Sequence, residues 1–442
     1  MKFSLGINTR TADKLMTSAI MYTQRLSAFF VPANPESAAS KNILKERIKS
    51  MLLSIALILL VGMSMGWICR KIKLPSLLGM LITGIVLGPY VLNLIDADIL
   101  NISAQLRKIA LIIILTRAGL GLDISGLKKI GRPAIMMCFV PASFELLGML
   151  LLAPKLLGMS ILEAAIMGAV LAAVSPAMVV PRMVKLIDEG YGTKQGIPQL
   201  ILAGASVDDV YVIVLFSTFT GIMQGNNVSI MSFVNIPVSI FLGMVIGIFI
   251  GYVLSRFFEI AHIRDTAKVL IILSISFLLV TAEDSLTTSI TFSALIAIMF
   301  IGIGLQRYRE PVAKRLSAKY GKLWVGAEVF LFVLVGAAVN IGYLGNVGVP
   351  ALIVIIGALL FRMFGVFVCL LGTKLTKKER LFTMMAYTPK ATVQAAIGGI
   401  PLAMGFACGE TVLTVAVLAI VLTAPLGAFA IDVSYRRLLS KE

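Results

Sequence analysis

Two aspartates, Asp208 and Asp209, stand side by side inside "LAGASVDDVYVIVLF", a run from Leu202 to Phe216 that otherwise reads as a membrane-spanning helix. A carboxylate at the bilayer centre is expensive, and intramembrane ionisable residues mark pathways for ions or protons. Neighbouring residues on a helix point about 100° apart, so only one of the pair can face a bound cation squarely. Asp209 is assigned as the principal ligand and Asp208 as its partner. Anionic oxygen suits a small dehydrated cation such as Na⁺ or Li⁺. A carboxylate in a dry site can hold a proton near neutral pH and surrender it when a cation arrives. The same oxygen then takes H⁺ or the metal ion and never both, which is the minimal chemistry of exchange.

Further oxygen and charge stand at the same depth. Ser175 precedes Pro176 in "GAVLAAVSPAMVVPRM", and Thr388 precedes Pro389 in "AYTPKATVQAAIGGIP". Proline removes a helical hydrogen bond and disfavours helix at the residue before it, so each stretch predicts a helix broken near its centre. A break exposes free N–H groups on one side and free carbonyls on the other. Lys390 can offset the carbonyl ends, and Ser175, Thr388 and the unwound carbonyls are hard oxygen ligands beside Asp208 and Asp209. Counted along their spans, Glu145, Ser175, Asp208, Asp209, Arg362 and Lys390 all lie roughly 15 to 20 Å in, near the middle of a hydrocarbon core about 30 Å thick. Arg362 needs a counter-charge there and Glu145 is the natural one. Arginine does not deprotonate in proteins, so a structural salt bridge is preferred to proton carriage. Arg117, with Asp123 near the end of the same span, is read as lining an access funnel, with helix packing as the alternative; Glu328 could serve either role.

The elements that must position these groups are long apolar blocks. Of 442 residues 59% are hydrophobic and 14% charged, which describes a polytopic membrane protein. Thirteen segments are long enough to cross. The first seven are Met51 to Cys69, Leu74 to Ile95, Gln105 to Leu122, Pro133 to Ala153, Ile161 to Leu186, Pro198 to Met223 and Ile230 to Phe258. The rest are Thr266 to Thr281, Thr288 to Leu305, Lys322 to Leu344, Val349 to Gly372, Arg380 to Ala407 and Thr411 to Asp432. Loops after odd-numbered spans, and the C-terminal tail, carry most of the 39 Lys and Arg, including "RKIK", "RYREPVAKRLSAK" and "KLTKKER". The opposite loops carry Arg107, Lys108 and Lys155, so the C-terminus is expected in the cytoplasm. The net charge of +17 follows from this asymmetry and implies no nucleic-acid partner. Residues 1 to 50 are basic as well and should not face outside. "LMTSAIMYTQRLSAFFV" is therefore read as an extra N-terminal helix, amphipathic or spanning, which would make fourteen. Cys69, Cys138, Cys369 and Cys408 stand singly in apolar segments and support neither a metal site nor disulfides. His262, the only histidine, sits in a short basic loop and is given no role.

Spans 5 and 12, the two with central prolines, are seven apart and so cross the membrane in opposite directions, as inverted-topology repeats do. The implied units are spans 4 to 6 and 11 to 13 of an all-α fold.

The motifs "LTRAGLGLD", "VSPAMVVPRM", "AGASVDDV" and "TPKATVQAA" together resemble the sodium/proton antiporters of the cation/proton antiporter superfamily, most closely the NHA-type exchangers. The likeness runs from roughly Lys73 to Asp432. It implies two crossed discontinuous helices at spans 5 and 12, and paired cation ligands at Asp208 and Asp209. It also implies a homodimer with a dimerisation domain (51–131 and 229–345), a mobile core ion-transport domain (132–228 and 346–434) and a short cytoplasmic tail (435–442). In many paired-aspartate members the span-11 position is lysine; Arg362 departs from them and agrees with the NHA-type members. The expected protein is a multi-pass transporter of the plasma membrane, not an enzyme and without a cofactor, whose partners are Na⁺ or Li⁺, H⁺ and lipid.

Three rivals need the same residue types. A sodium-coupled symporter of an organic solute would use broken helices and Na⁺ ligands, but needs a solute pocket. An intramembrane aspartyl protease needs its aspartates on different helices, whereas these are consecutive. A channel makes little use of exchangeable protons on a buried pair.

Overall fold

The computed structural model of the protein describes residues 51–121, 131–224, 230–261, 263–285 and 292–442. The expected N-terminal helix, Asp123 and His262 lie outside the described residues. Within them the apolar blocks are helices, the conformation in which a segment satisfies its own backbone where lipid offers no partner. Among the described residues nine helices are long and apolar enough to cross a membrane, and Ser76–Leu87, Ala294–Tyr308 and Thr392–Ala403 are shorter apolar ones. With Ser103–Gly121, which carries Arg107, Lys108 and Arg117, they account for the thirteen spans in order.

Three boundaries differ from expectation, two of them at prolines. Span 2 is helical only over Ser76–Leu87; Gly88 is extended ahead of Pro89, which disfavours helix at that residue. Span 4 is two helices, Arg132–Met137 and Val140–Leu157, parted just before Pro141. Span 11 runs Ile341–Cys369, beginning well before the expected Val349.

Spans 1 to 3 and 7 to 10 pack on one another, and spans 4 to 6 and 11 to 13 do likewise; the second half of span 12 touches spans 3 and 10 and so joins the two groups. Close backbone approach in the first group depends on small residues. A Cβ on Gly84 would overlap the Val333 carbonyl of span 10, and one on Gly119 the Met299 carbonyl of span 9.

Spans 5 and 12 are built alike. Span 5 is Ile161–Leu171 followed by Pro176–Asp188, and span 12 is Lys377–Ala386 followed by Thr392–Ile397 and Ile400–Ala403. Each starts with the same reciprocal cap. Ser160 accepts from the Glu163 N–H while Glu163 accepts from the Ser160 N–H, and Thr376 and Glu379 repeat the arrangement. The breaks cross in direct contact, the Ser175 N–H donating to the Pro389 carbonyl at 2.8 Å. Span 12 has a second interruption at Gly398 and Gly399, just ahead of Pro401.

Candidate ion-binding site

The crossing brings four charged side chains into one bonded chain. Arg362, fully buried on span 11, donates from Nη1 to Glu145 Oε2 at 2.9 Å and from Nη2 to Asp208 Oδ2 at 2.6 Å. Lys390 Nζ reaches the same Glu145 oxygen at 2.5 Å. These groups come from spans 4, 6, 11 and 12 and are almost wholly shielded from solvent. Arginine suits the centre because its planar fork can serve several acceptors at once. Formally the two cations and two carboxylates cancel.

The same side chains close the breaks. In span 5 the Ala172 carbonyl accepts from Arg362 and the Val174 N–H donates to Asp208 Oδ2 at 2.9 Å. In span 12 the Tyr387 carbonyl accepts from Arg362 Nε at 2.7 Å, and the Lys390 N–H donates to the Thr423 hydroxyl at 2.9 Å. Unwound backbone in the membrane is tolerated only where it is satisfied by protein or lines a cavity. Here the charged network supplies much of that satisfaction, so the break and the charges stabilise each other.

Asp209 stands apart. No Arg or Lys lies within ion-pair distance of it among the described residues, and its Oδ1 is buried without a hydrogen-bond partner there. Asp208 Oδ1 is likewise without a partner, but its other oxygen is held twice. Asp209 is 8% exposed, against 0% for Asp208. The two neighbours therefore differ: one carboxylate is committed to Arg362, and the other has no basic partner among the described residues.

Ser175 is buried at the crossing, its hydroxyl 3.5 Å from that of Thr392. The Thr388 hydroxyl turns back to the Met385 carbonyl at 2.8 Å. In this conformation neither hydroxyl hydrogen-bonds a carboxylate. Arg117 is exposed on span 3. A cavity of about 470 Å³ is lined by Arg70, Lys73, Met178, Arg182, Glu328 and Asp432, among others. It reaches Ala177 and Met178 in the first turn after the span-5 break, and the ion pair of Arg182 with Asp432, at 3.2 Å, stands on its wall. Arg117 is not part of that lining, whereas Glu328 is.

Sequence reasoning passed over Tyr387, Thr392, Gln394 and Thr423. Gln394 carried a signal, an amide five residues beyond Pro389 in an otherwise apolar stretch. Thr423 resembled any small residue of a membrane helix.

The profile of the family described as "Sodium/hydrogen exchanger, transmembrane" matches residues 55–432. The chain is 36% identical over 387 residues to human sodium/hydrogen exchanger 9B2, covering 83% of this chain and 70% of that protein. It is 32% identical over 384 residues to human sodium/hydrogen exchanger 9B1, covering 83% and 73%. Among solved structures, the sodium proton antiporter MjNhaP1 from Methanocaldococcus jannaschii at pH 8 superposes with a TM-score of 0.77 at 22% identity, covering 88% of this chain and 98% of that one.

Proposed function

The chain belongs to the sodium/hydrogen exchanger family, and from that premise we propose that it exchanges Na⁺ or Li⁺ for H⁺ by alternating access, with the two ions competing for Asp209. The observation that carries this reading is the charge balance at the crossing. Glu145, Asp208, Arg362 and Lys390 form a closed neutral set, and Asp209 is the carboxylate beside them without a basic partner among the described residues. A buried lone carboxylate is costly unless neutralised, and a proton or a monovalent cation neutralises it equally well. Ser175, one break away, supplies a hydroxyl from the crossing, and Asp208 is held in place by Arg362. In this conformation the cavity beside Met178 and Glu328 is the approach from the basic, cytoplasmic side. The core ion-transport domain is spans 4 to 6 and 11 to 13, moving against spans 1 to 3 and 7 to 10, which form the dimerisation face of a homodimer in the plasma membrane with its C-terminus in the cytoplasm.

The test is proton flux in vesicles holding the purified protein, driven by a Na⁺ or Li⁺ gradient with no organic solute present. Flux in the wild-type protein and none in D209N is the expected result. A flux that required an added solute would replace exchange with symport, and wild-type rates in a monodisperse D209N protein would remove Asp209 from the site.

A further inference from the structure

Gln394 is fully buried in the second half of span 12, and its side-chain amide joins the two breaks. Nε2 donates to the Ala173 carbonyl at 2.9 Å and to the Leu171 carbonyl at 3.2 Å, while Oε1 accepts from the Ala391 N–H at 2.9 Å. Turning the amide over would set its oxygen against two carbonyls and its NH₂ against an N–H, so the partners dictate its orientation.

The chemistry explains why an amide stands there. Where the first half of span 5 ends, carbonyls lack helical partners; where the second half of span 12 begins, N–H groups do. One side chain meets both needs only if it donates and accepts. Lysine and arginine only donate, an ionised carboxylate only accepts, and any of them would add charge beside a balanced set. The hydrogen bonds of Gln394, at 171 and 173, alternate with the two positions at which span 5 meets the charged groups, the Ala172 carbonyl on Arg362 and the Val174 N–H on Asp208.

We propose that Gln394 is a positioning residue for cation binding, which locks the unwound stretch of span 5 to that of span 12 and withholds the Leu171 and Ala173 carbonyls from the ion. This rests on the exchange reading above and deepens it. With those carbonyls occupied, the cation is selected by carboxylate and hydroxyl oxygens, a small set suited to Na⁺ and Li⁺. Freed carbonyls would enlarge the set toward the all-carbonyl coordination that suits K⁺.

The experiment is vesicle proton flux driven by Li⁺, Na⁺ or K⁺ in the full chain carrying Q394M, which keeps length and volume without the amide. The apparent KM for Na⁺ is expected to rise roughly tenfold, the scale of one or two lost hydrogen bonds. The maximal rate should stay within about twofold, and K⁺ should begin to drive flux. A residue that merely stabilised the fold would lower the amount of active protein and leave KM and cation order alone. Q394E keeps the acceptor for Ala391; ionised it faces the carbonyls with oxygen and should shift KM in the same direction, and protonated it donates one O–H and should shift KM less than Q394M does. Unchanged KM and cation order in monodisperse Q394M overturns the proposal. If Q394M is not monodisperse, hydrogen exchange in the wild-type protein decides. Amides of 171–178 and 388–397 should slow together on adding Na⁺, and slowing of one stretch alone overturns the lock. Absence of Na⁺-driven flux in the wild type would instead defeat the exchange reading, a result distinct from a functional wild type matched by its Gln394 variants.

Discussion

Asp208 and Asp209 are neighbours in the chain and opposites in their surroundings, so neutralising each should have a different physical signature. Asp208→Asn weakens a bond to Arg362 made at 2.6 Å and should cost about 1 to 3 kcal/mol of stability as well as exchange. Asp209→Asn removes a lone buried carboxylate, so exchange should vanish while the thermal midpoint holds or rises. Thermal unfolding in detergent alongside vesicle flux measures both; an equal loss of stability in the two variants would contradict the division of roles. Arg362→Ala leaves Glu145 to Lys390 but strands Asp208, so the buried set carries one uncompensated negative charge; it should cost about 3 to 5 kcal/mol, the scale of a broken buried pair. Adding Glu145→Ala should recover part of that loss, since Asp208 and Lys390 then balance and the buried set is neutral again. Strictly additive losses would mean that the contact between the two has no energetic weight.

At the scale of elements, the caps and the prolines of spans 5 and 12 do separate jobs. The Thr376 cap starts a helix at the membrane edge, far along the span from the break, so Thr376→Ala should lower stability by about 1 kcal/mol and leave the apparent KM for Na⁺ unchanged. Pro389 acts at the crossing. Replacing it with alanine frees Thr388 to become helical, which would draw the 389 carbonyl away from the Ser175 N–H. Pro389→Ala should therefore raise the apparent KM for Na⁺ with a smaller effect on stability than its position suggests. A change of KM in Thr376→Ala comparable with that in Pro389→Ala would show that the caps, too, govern the site.

For the whole molecule, competition at one carboxylate predicts how exchange depends on pH and voltage. If protons displace the cation there, the apparent KM for Na⁺ should rise about tenfold for each unit of pH below the pKa of the site when one proton is exchanged. Coupling between the two aspartates would steepen that slope, because the titration then belongs to the pair. Solid-supported-membrane or flux measurements across about pH 5.5 to 8.5 give the slope. A KM independent of pH, with only the maximal rate changing, would place proton and cation at different sites. The neutral set of Glu145, Asp208, Arg362 and Lys390 leaves one charge to be compensated by one ion in either direction. Exchange should accordingly be one for one and indifferent to an imposed membrane potential, whereas flux that reverses with voltage would mean that a second site, such as Lys390, also gives up its proton.

What the sequence determined by itself was whatever depends on neighbours in the chain. Apolar length sets the spans, because the bilayer demands about 20 residues of helix. Prolines at 176 and 389 set the breaks, because the missing N–H is a property of the residue. The charges at mid-depth were legible because nothing but function or pairing keeps an ionisable group there. The tertiary structure alone decided which of these groups touch. Glu145 and Arg362 are 217 positions apart, and Lys390 lies 245 from the carboxylate it shares with that arginine. Expected as half of a pair, Arg362 is divided between Glu145 and Asp208 and also holds the carbonyls of both breaks. Gln394 and Thr423 escaped notice because a polar atom acquires its role only when packing sets an orphaned backbone group within about 3 Å of it, and that distance is a property of crossed helices rather than of any local pattern.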